Sequence, residues 1–193
     1  MAAIKANSPS LPPYRSRLGF CSYAGTRRHR LGLADAAFFV KTAPYVYRRL
    51  SASDIALMKR LLFVFGEAFN ELDTYQDAVP TDAYLARLLE RRDFICIVGF
   101  SEGAVIGGLA AYELEKFEQD RREIYIYDLA VSEPHRRKGV ATALIHELQR
   151  IAAEQRAYVI FVQADRGDHP AIRLYESLGT REDVYHFDIP VTR

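Results

Sequence analysis

The sequence predicts an α/β fold, a mixed sheet covered by helices. Two observations carry this. Segments rich in Ile, Val and aromatics, at 94–100, 105–114 and 123–131, are set among segments whose apolar residues recur at helical spacing. Their order, β-α-α-β-β-β-α-β-α-β, suits one layered domain, and 193 residues leave room for that domain plus a terminal extension.

The regular pattern begins at Tyr45, with a short strand over 45–50. Ser53 then caps a helix to about residue 70, in which Ile55, Met58, Leu61, Leu62, Phe65 and Phe69 fall at helical spacing. The stretch to Pro80 lacks periodicity. Thr81 or Asp82 opens a second helix carrying Tyr84, Leu85, Leu88 and Leu89. Strands 94–100 and 105–114 join through Ser101-Glu102-Gly103 as a hairpin. The strand over 123–131 alternates cleanly at first, Ile124 and Ile126 against Tyr125 and Tyr127. A helix over 139–154 buries Val140, Leu144, Leu148 and Ile151. Residues 158–164 read as a buried strand. A last helix sets Ala171, Leu174, Tyr175 and Leu178 on one face and stops at Gly179 as a C′ residue. A final strand covers 182–189.

Composition narrows the setting. Hydrophobic residues make up 49% and charged ones 26%, as in ordinary globular chains, and no apolar run approaches a membrane span. Two cysteines, Cys21 and Cys96, are too few for a secreted disulfide framework, so a reducing cytoplasm is the expected location. The net charge of +1 is unevenly divided: residues 1–44 carry seven Lys and Arg against Asp35 alone, net +6, which leaves −5 for the rest. Residues 1–44, rich in Ser, Pro, Arg and Gly, read as a basic, poorly ordered arm, and residues 45–193 as the domain. An acidic domain favours cationic small molecules and disfavours nucleic acid. No Cys/His grouping has metal-ligand spacing, so no metal is expected.

The most informative segment runs from Asp128 to Ala141. It joins a strand to a helix through the basic turn Glu133-Pro134-His135-Arg136-Arg137-Lys138-Gly139. A helix start exposes unpaired backbone N–H groups and partial positive charge. Gly139 lets that backbone approach a ligand, and Arg136, Arg137 and Lys138 add full charges, an arrangement suited to a pyrophosphate.

On these residues the chain resembles the GNAT superfamily. Arg136-x-x-Gly139-x-Ala141 is similar to its acetyl-CoA signature, and Leu129-Ala130-Val131 to its splayed strand. The resemblance implies a GNAT fold: a mixed, mostly antiparallel sheet of six or seven strands, splayed at the fourth and covered by about four helices. It implies that the backbone near Ala130 polarises the acetyl-CoA thioester. It also implies that Val140, Thr142 and Ala143 line the pyrophosphate. Downstream, the segment from Asp168 through Ala171, Leu174 and Tyr175 to Gly179 resembles the family's Asn-x-x-Ala-x-x-Leu-Tyr-x-x-x-Gly stretch. Tyr175 then takes the place of the tyrosine that protonates the departing thiolate. Asp168 departs from the usual Asn.

Longer words resemble the aminoglycoside 3-N-acetyltransferases of this type: 109–112, 116–119, 123–132 and 158–165, within a similarity spanning 45–189. That resemblance implies an aminoglycoside or other polycationic amine as partner, neither nucleic acid nor membrane, and an assembly that is often a homodimer. The residues suit a polycation. The loop after the first helix holds Glu71, Asp73, Tyr75 and Asp77 with no Lys or Arg, Asp165 and Asp168 form a second acidic patch, and Glu182 and Asp183 a third; Tyr127 completes the expected acceptor site. A carboxylate must take the amine proton. Asp128 and Glu123 are the candidates, on opposite faces by strict alternation unless a bulge near Leu129 breaks the parity. Asp128 is preferred for its closeness to the splay. A polyamine, another small amine or a peptide is the alternative acceptor. Because residues 1–44 lie outside these resemblances, a chain starting at Thr42 is expected to keep its fold and its turnover, checked by thermal melting and an acetyl-CoA consumption assay; failure to fold would move the domain boundary into the arm.

Overall fold

The computed structural model describes residues 45–187 and 189–191; the arm expected over 1–44 lies outside the described residues. Its sheet grows from a turn. Glu102 and Gly103 both take left-handed conformations (φ 51° and 80°), the pattern of a two-residue hairpin turn whose twist matches its strands. The turn joins β2 (Phe94–Ser101) to β3 (Ala104–Glu115), paired from Ser101 opposite Ala104 to Phe94 opposite Tyr112 with one shift of register between Gly99 and Phe100. On the outer side of β2 lies β1 (Val46–Arg49), antiparallel. On the other side β3 pairs with β4 (Arg122–Val131), also antiparallel, and β4 pairs in parallel with β5 (Ala157–Val162). The sheet order is β1-β2-β3-β4-β5.

Each face of the sheet carries its own core. One face packs against α1 (Ile55–Phe69) and α2 (Asp82–Glu90), with Leu61, Phe65, Leu85, Phe94, Cys96 and Val98 buried between. The other packs against α3 (Val140–Glu154), where Leu144 and Leu148 meet Ile97, Leu109, Ile124 and Ile126. The partly buried Leu174 and Tyr175 of α4 (His169–Glu176) pack onto the same cluster. Burying each such side chain contributes about 1.5–3 kcal/mol. Among the described residues no polar or charged residue is fully buried. Cys96 is a packing residue of the first core, and burial pushes its thiol up to about 12.

The helix starts follow local chemistry. Asp54, one residue past the expected Ser53, holds the N-cap of α1; its carboxylate accepts from Arg48 and from the Ser51 backbone N–H at 2.8 Å each. The Arg48 hydrogen bond holds that carboxyl down at about 2. Asn70 ends α1 in the left-handed region, and Thr81 caps α2 by accepting from Tyr84 N–H at 3.3 Å.

Among the described residues the sheet has five strands, not the expected six or seven. Residues 182–187 and 189 do not form the predicted final strand: they are irregular, with Tyr185 81%, Phe187 78% and Ile189 87% exposed. An alternating apolar run has strand propensity, but a strand exists only with a hydrogen-bonding neighbour. For the same reason β5 is an edge and not the buried strand expected, with Tyr158, Val159 and Phe161 exposed. At α4 the C-cap is Ser177, and Gly179 stays out of the left-handed region expected of a C′ glycine. Among the described residues a π-helical turn (Asp73–Asp77) and a 3-10 turn (Glu133–His135) accompany four α-helices.

Gly108 marks where α1 meets the sheet. A Cβ there would sit 2.5 Å from the Ile97 carbonyl oxygen and 2.7 Å from Leu61 Cδ1, so a methyl group must displace backbone. Gly108→Ala is expected to cost about 1–3 kcal/mol, whereas Gly167→Ala, with open space around its Cβ, should stay within about 0.5 kcal/mol of the parent; urea unfolding of the two variants checks the contrast.

Candidate active site

The site begins with a break in alternation. In β4, Asp128 stands opposite Ala110 while Ile126 stands opposite Ala111, so Tyr127 is an extra residue and the strand bulges there. Before the bulge Ile124 and Ile126 face the α3 core; after it Leu129 and Val131 face that core and Ala130 faces the α1 core. Asp128 therefore shares the α1 face with Glu123, Tyr125 and Tyr127. The bulge lies one or two residues before the point the sequence suggested.

Beyond the bulge β4 loses a neighbour. Its parallel pairing with β5 ends at Ile126 opposite Val162, but β4 continues to Val131 paired with β3 alone. Leu129, Ala130 and Val131 thus lie along an open strand edge. The turn that follows is shaped by Arg137 (φ 61°) and Gly139 (φ 79°), both left-handed. Arg136 folds back, its Nε donating to the Val131 carbonyl at 3.0 Å, while Arg137 and Lys138 are exposed. His135 packs edge-on against Tyr45. The first bond of α3 runs from Ala143 N–H to the Gly139 carbonyl at 3.0 Å, so the N–H groups of Val140, Ala141 and Thr142 precede the helical ladder. A Cβ built on Gly139 would meet nothing within 4 Å. An open cradle of N–H groups beside two exposed cations fits a pyrophosphate.

On the α1 face the Tyr75 hydroxyl donates to Asp128 Oδ1 at 3.2 Å. Tyr75 stands on the π-helical turn, held by the rings of Phe65 and Phe69 at centroid distances of 6.0 and 5.7 Å. Burial first, and then Glu71, push the Asp128 carboxyl up, while the Tyr75 hydrogen bond pulls it down. Glu71, Asp73 and Asp77 are exposed, and Glu71 and Asp73 line a shallow depression of about 340 Å³ with Asn70, Leu72 and Thr74. Tyr127 is 64% exposed and packs edge-on between Tyr112 and Tyr125, and Tyr125 stacks on Phe161 at 5.0 Å. An aromatic row therefore borders Asp128, and its Tyr112 is a member the sequence analysis missed; the alternation of β3 was the available signal.

Other expected residues are engaged elsewhere. Glu123 binds Arg121 at 3.4 Å and Lys116 at 3.7 Å. Across the bulge it is four ladder steps from Asp128, opposite Leu114 where Asp128 is opposite Ala110, about 13 Å along the strand. Asp168 is the N-cap of α4, its Oδ1 accepting from Ala171 N–H at 3.0 Å. Asp183 pairs with Arg181 at 3.0 Å, and Asp165 and Glu182 are exposed. Tyr175 lies half-buried in the α3 core, and burial, helped by Asp168, pushes its hydroxyl up to about 12. Among the described residues no three His, Cys, Asp or Glu converge as a metal site, and no helix is long and apolar enough to cross a membrane.

Residues 59–180 match the family described as Acetyltransferase (GNAT) family. The chain belongs to this family. GNAT enzymes use acetyl-CoA, and the open strand edge and the cradle at Gly139 belong to the region the match covers. A solved aminoglycoside acetyltransferase from an uncultured soil metagenomic sample is 55% identical, covering 77% of this chain and 99% of that one with a TM-score of 0.76. Another, from an uncultured soil metagenomic sample and in complex with sisomicin, is 28% identical, covering 77% and 97% with a TM-score of 0.72. N-acetyltransferase family 8 member 2 of Rattus norvegicus is 28% identical over 47% of this chain, a match that spans only 40% of that relative.

Gly139→Val would force a β-branched residue into the left-handed region, costing about 1–2 kcal/mol, and fill the open cradle. Acetyl-CoA affinity, read by calorimetry, is expected to collapse in a domain that still melts cooperatively; unchanged affinity would remove the anion-cradle assignment.

Proposed function

We propose that the chain transfers the acetyl group of acetyl-CoA to the 3-amino group of an aminoglycoside on its 2-deoxystreptamine ring, which would give resistance to the antibiotic. One observation carries this reading: the bulge sets the Asp128 carboxylate on the face of the acidic Glu71–Asp77 loop, beside the open edge of β4. The 55% identical aminoglycoside acetyltransferase supports the acceptor class.

The cosubstrate supplies an acetyl group already activated as a thioester. Val140, Ala141 and Thr142 at the start of α3, with Arg137 and Lys138, hold its pyrophosphate, while Ala143 N–H is already given to the Gly139 carbonyl. Arg136 closes the turn behind them. Backbone N–H groups along Leu129–Val131 polarise the thioester carbonyl, a contribution of about 10²–10³ in rate. Glu71, Asp73 and Asp77 attract the ammonium groups of the acceptor, and Tyr127 offers an aromatic edge to its sugar rings. Asp128, raised by burial, accepts a proton from the attacking amine as its nitrogen bonds to the carbonyl carbon. Tyr175, a neutral phenol at pH 7, gives its proton to the sulfur as the C–S bond breaks, and solvent restores both groups.

A polyamine or other small amine is the second reading. The acidic loop would serve any polycation, so mapping the acetylated nitrogen across an amine panel separates the two.

Asp128→Asn keeps size but cannot accept the proton, and turnover is expected to fall about 10²-fold or more at neutral pH, with partial recovery as the pH rises. Asp73→Asn and Asp77→Asn should raise the acceptor KM and leave kcat near the parent value. Glu123→Gln is the control: a pH-rescued loss there, and not in Asp128→Asn, would make Glu123 the base.

A further inference from the structure

Asp128 stands in an unusual setting for a base. Among the described residues, the titratable groups that interact with it are phenols and an acid: Tyr75 and Glu71 from the segment after α1, Tyr112 from β3 and Tyr125 from β4, with Tyr127 its neighbour in the chain. No Lys or Arg pairs with it among the described residues. Burial and Glu71 both favour its neutral form, which cannot take a proton. Tyr75 donates a hydrogen bond to it at Oδ1.

The Tyr75 hydroxyl is held by structure and not by chance rotation. Its ring sits between Phe65 and Phe69. The turn that carries it lies tight on α1: a Cβ on Gly66 would come within 3.2 Å of Tyr75 Cβ and 3.0 Å of Gln76 Nε2, and Gln76 Nε2 donates to the Phe63 carbonyl at 3.3 Å. Tyr75 N–H also bonds the Glu71 carbonyl at 3.2 Å. The turn packed on the end of α1 thus aims a neutral donor at one carboxylate oxygen.

We propose that Tyr75 is the positioning residue of Asp128: by holding Oδ1 it fixes the carboxylate plane, keeps the group ionised and leaves Oδ2 to receive the proton of the acceptor amine. The proposal rests on Asp128 as the base and assigns to Tyr75 a part that acceptor binding alone would not require. A neutral donor suits this site. An Arg or Lys partner would also hold the carboxylate ionised, but its charge would repel the polycation that has to arrive beside it. The phenol stabilises the anion without that repulsion.

The test is Tyr75→Phe, which keeps the ring in its aromatic clamp and removes only the donor. The Asp128 carboxyl is titrated directly by carbon-13 NMR in the folded enzyme, and kcat/KM is measured against pH with a fixed aminoglycoside. The titration midpoint and the acidic limb of kcat/KM are both expected to rise by about one pH unit, which is about tenfold in rate below the limb. In an Asp128→Asn background, Tyr75→Phe should change kcat little further. Phe69→Leu, which loosens the clamp and keeps the hydroxyl, should give a smaller rise in the same direction. An unmoved midpoint, with acceptor KM raised equally at every pH, would overturn the proposal and leave Tyr75 as an acceptor contact only. A risen midpoint with an unmoved rate limb would uphold the contact and instead remove Asp128 as the base.

Discussion

Everything proposed for this site depends on one extra residue in β4. A strand with strict alternation would send Asp128 toward α3, into a wall of Ile, Leu and Val where an unpaired carboxylate is costly. Tyr127 absorbs the offset. The shift has two effects from one local distortion: it turns a carboxylate toward the acidic loop, and it comes where the pairing with β5 ends. The bulged strand stays tied on one side by the β3 ladder down to Gly107 opposite Val131, so the open edge is held by a full set of neighbours behind it.

The two faces of the sheet divide the chemistry. On the α1 side stand Asp128, its Tyr75 donor and the carboxylates that would draw in an amine. On the α3 side, Tyr175 is packed among apolar side chains, where burial keeps a phenol protonated. Asp128 and Tyr175 thus sit in separate environments, and the unpaired end of β4 contributes side chains to both.

Much of this was legible in the sequence. The apolar spacing of Met58, Leu61 and Phe65, and of Val140, Leu144, Leu148 and Ile151, located the two helices that cover the sheet, and Glu102-Gly103 located the hairpin. The glycine-containing basic turn was found from residue types alone. The bulge could be posed as a question but not placed, because alternation in 123–131 reads equally well with the offset at Tyr127 or at Leu129. The role of Asp168 as a cap was hidden because Asp serves helix starts and polar sites alike. The final strand was overcalled for a plainer reason: alternation at Tyr185, Phe187 and Ile189 reports propensity, whereas strand formation depends on a neighbour that sequence spacing does not supply. The partner of Asp128, Tyr75, came from a segment without periodicity, and only its packing on Phe65 and Phe69 explains its aim.

The two-residue turn between β2 and β3 bears on how the chain assembles. Closing so short a loop carries little entropic cost, so this hairpin can form early and offer its β3 edge to β4. β5 must wait, because its pairing spans the whole α3 crossover. The open end of β4, with a strand neighbour on the β3 side alone, is where native opening fluctuations should begin. Amide exchange would then run faster at Tyr127–Val131 than at Ile95–Val98 in the enclosed β2, placing the catalytic edge among the first parts of the sheet to breathe.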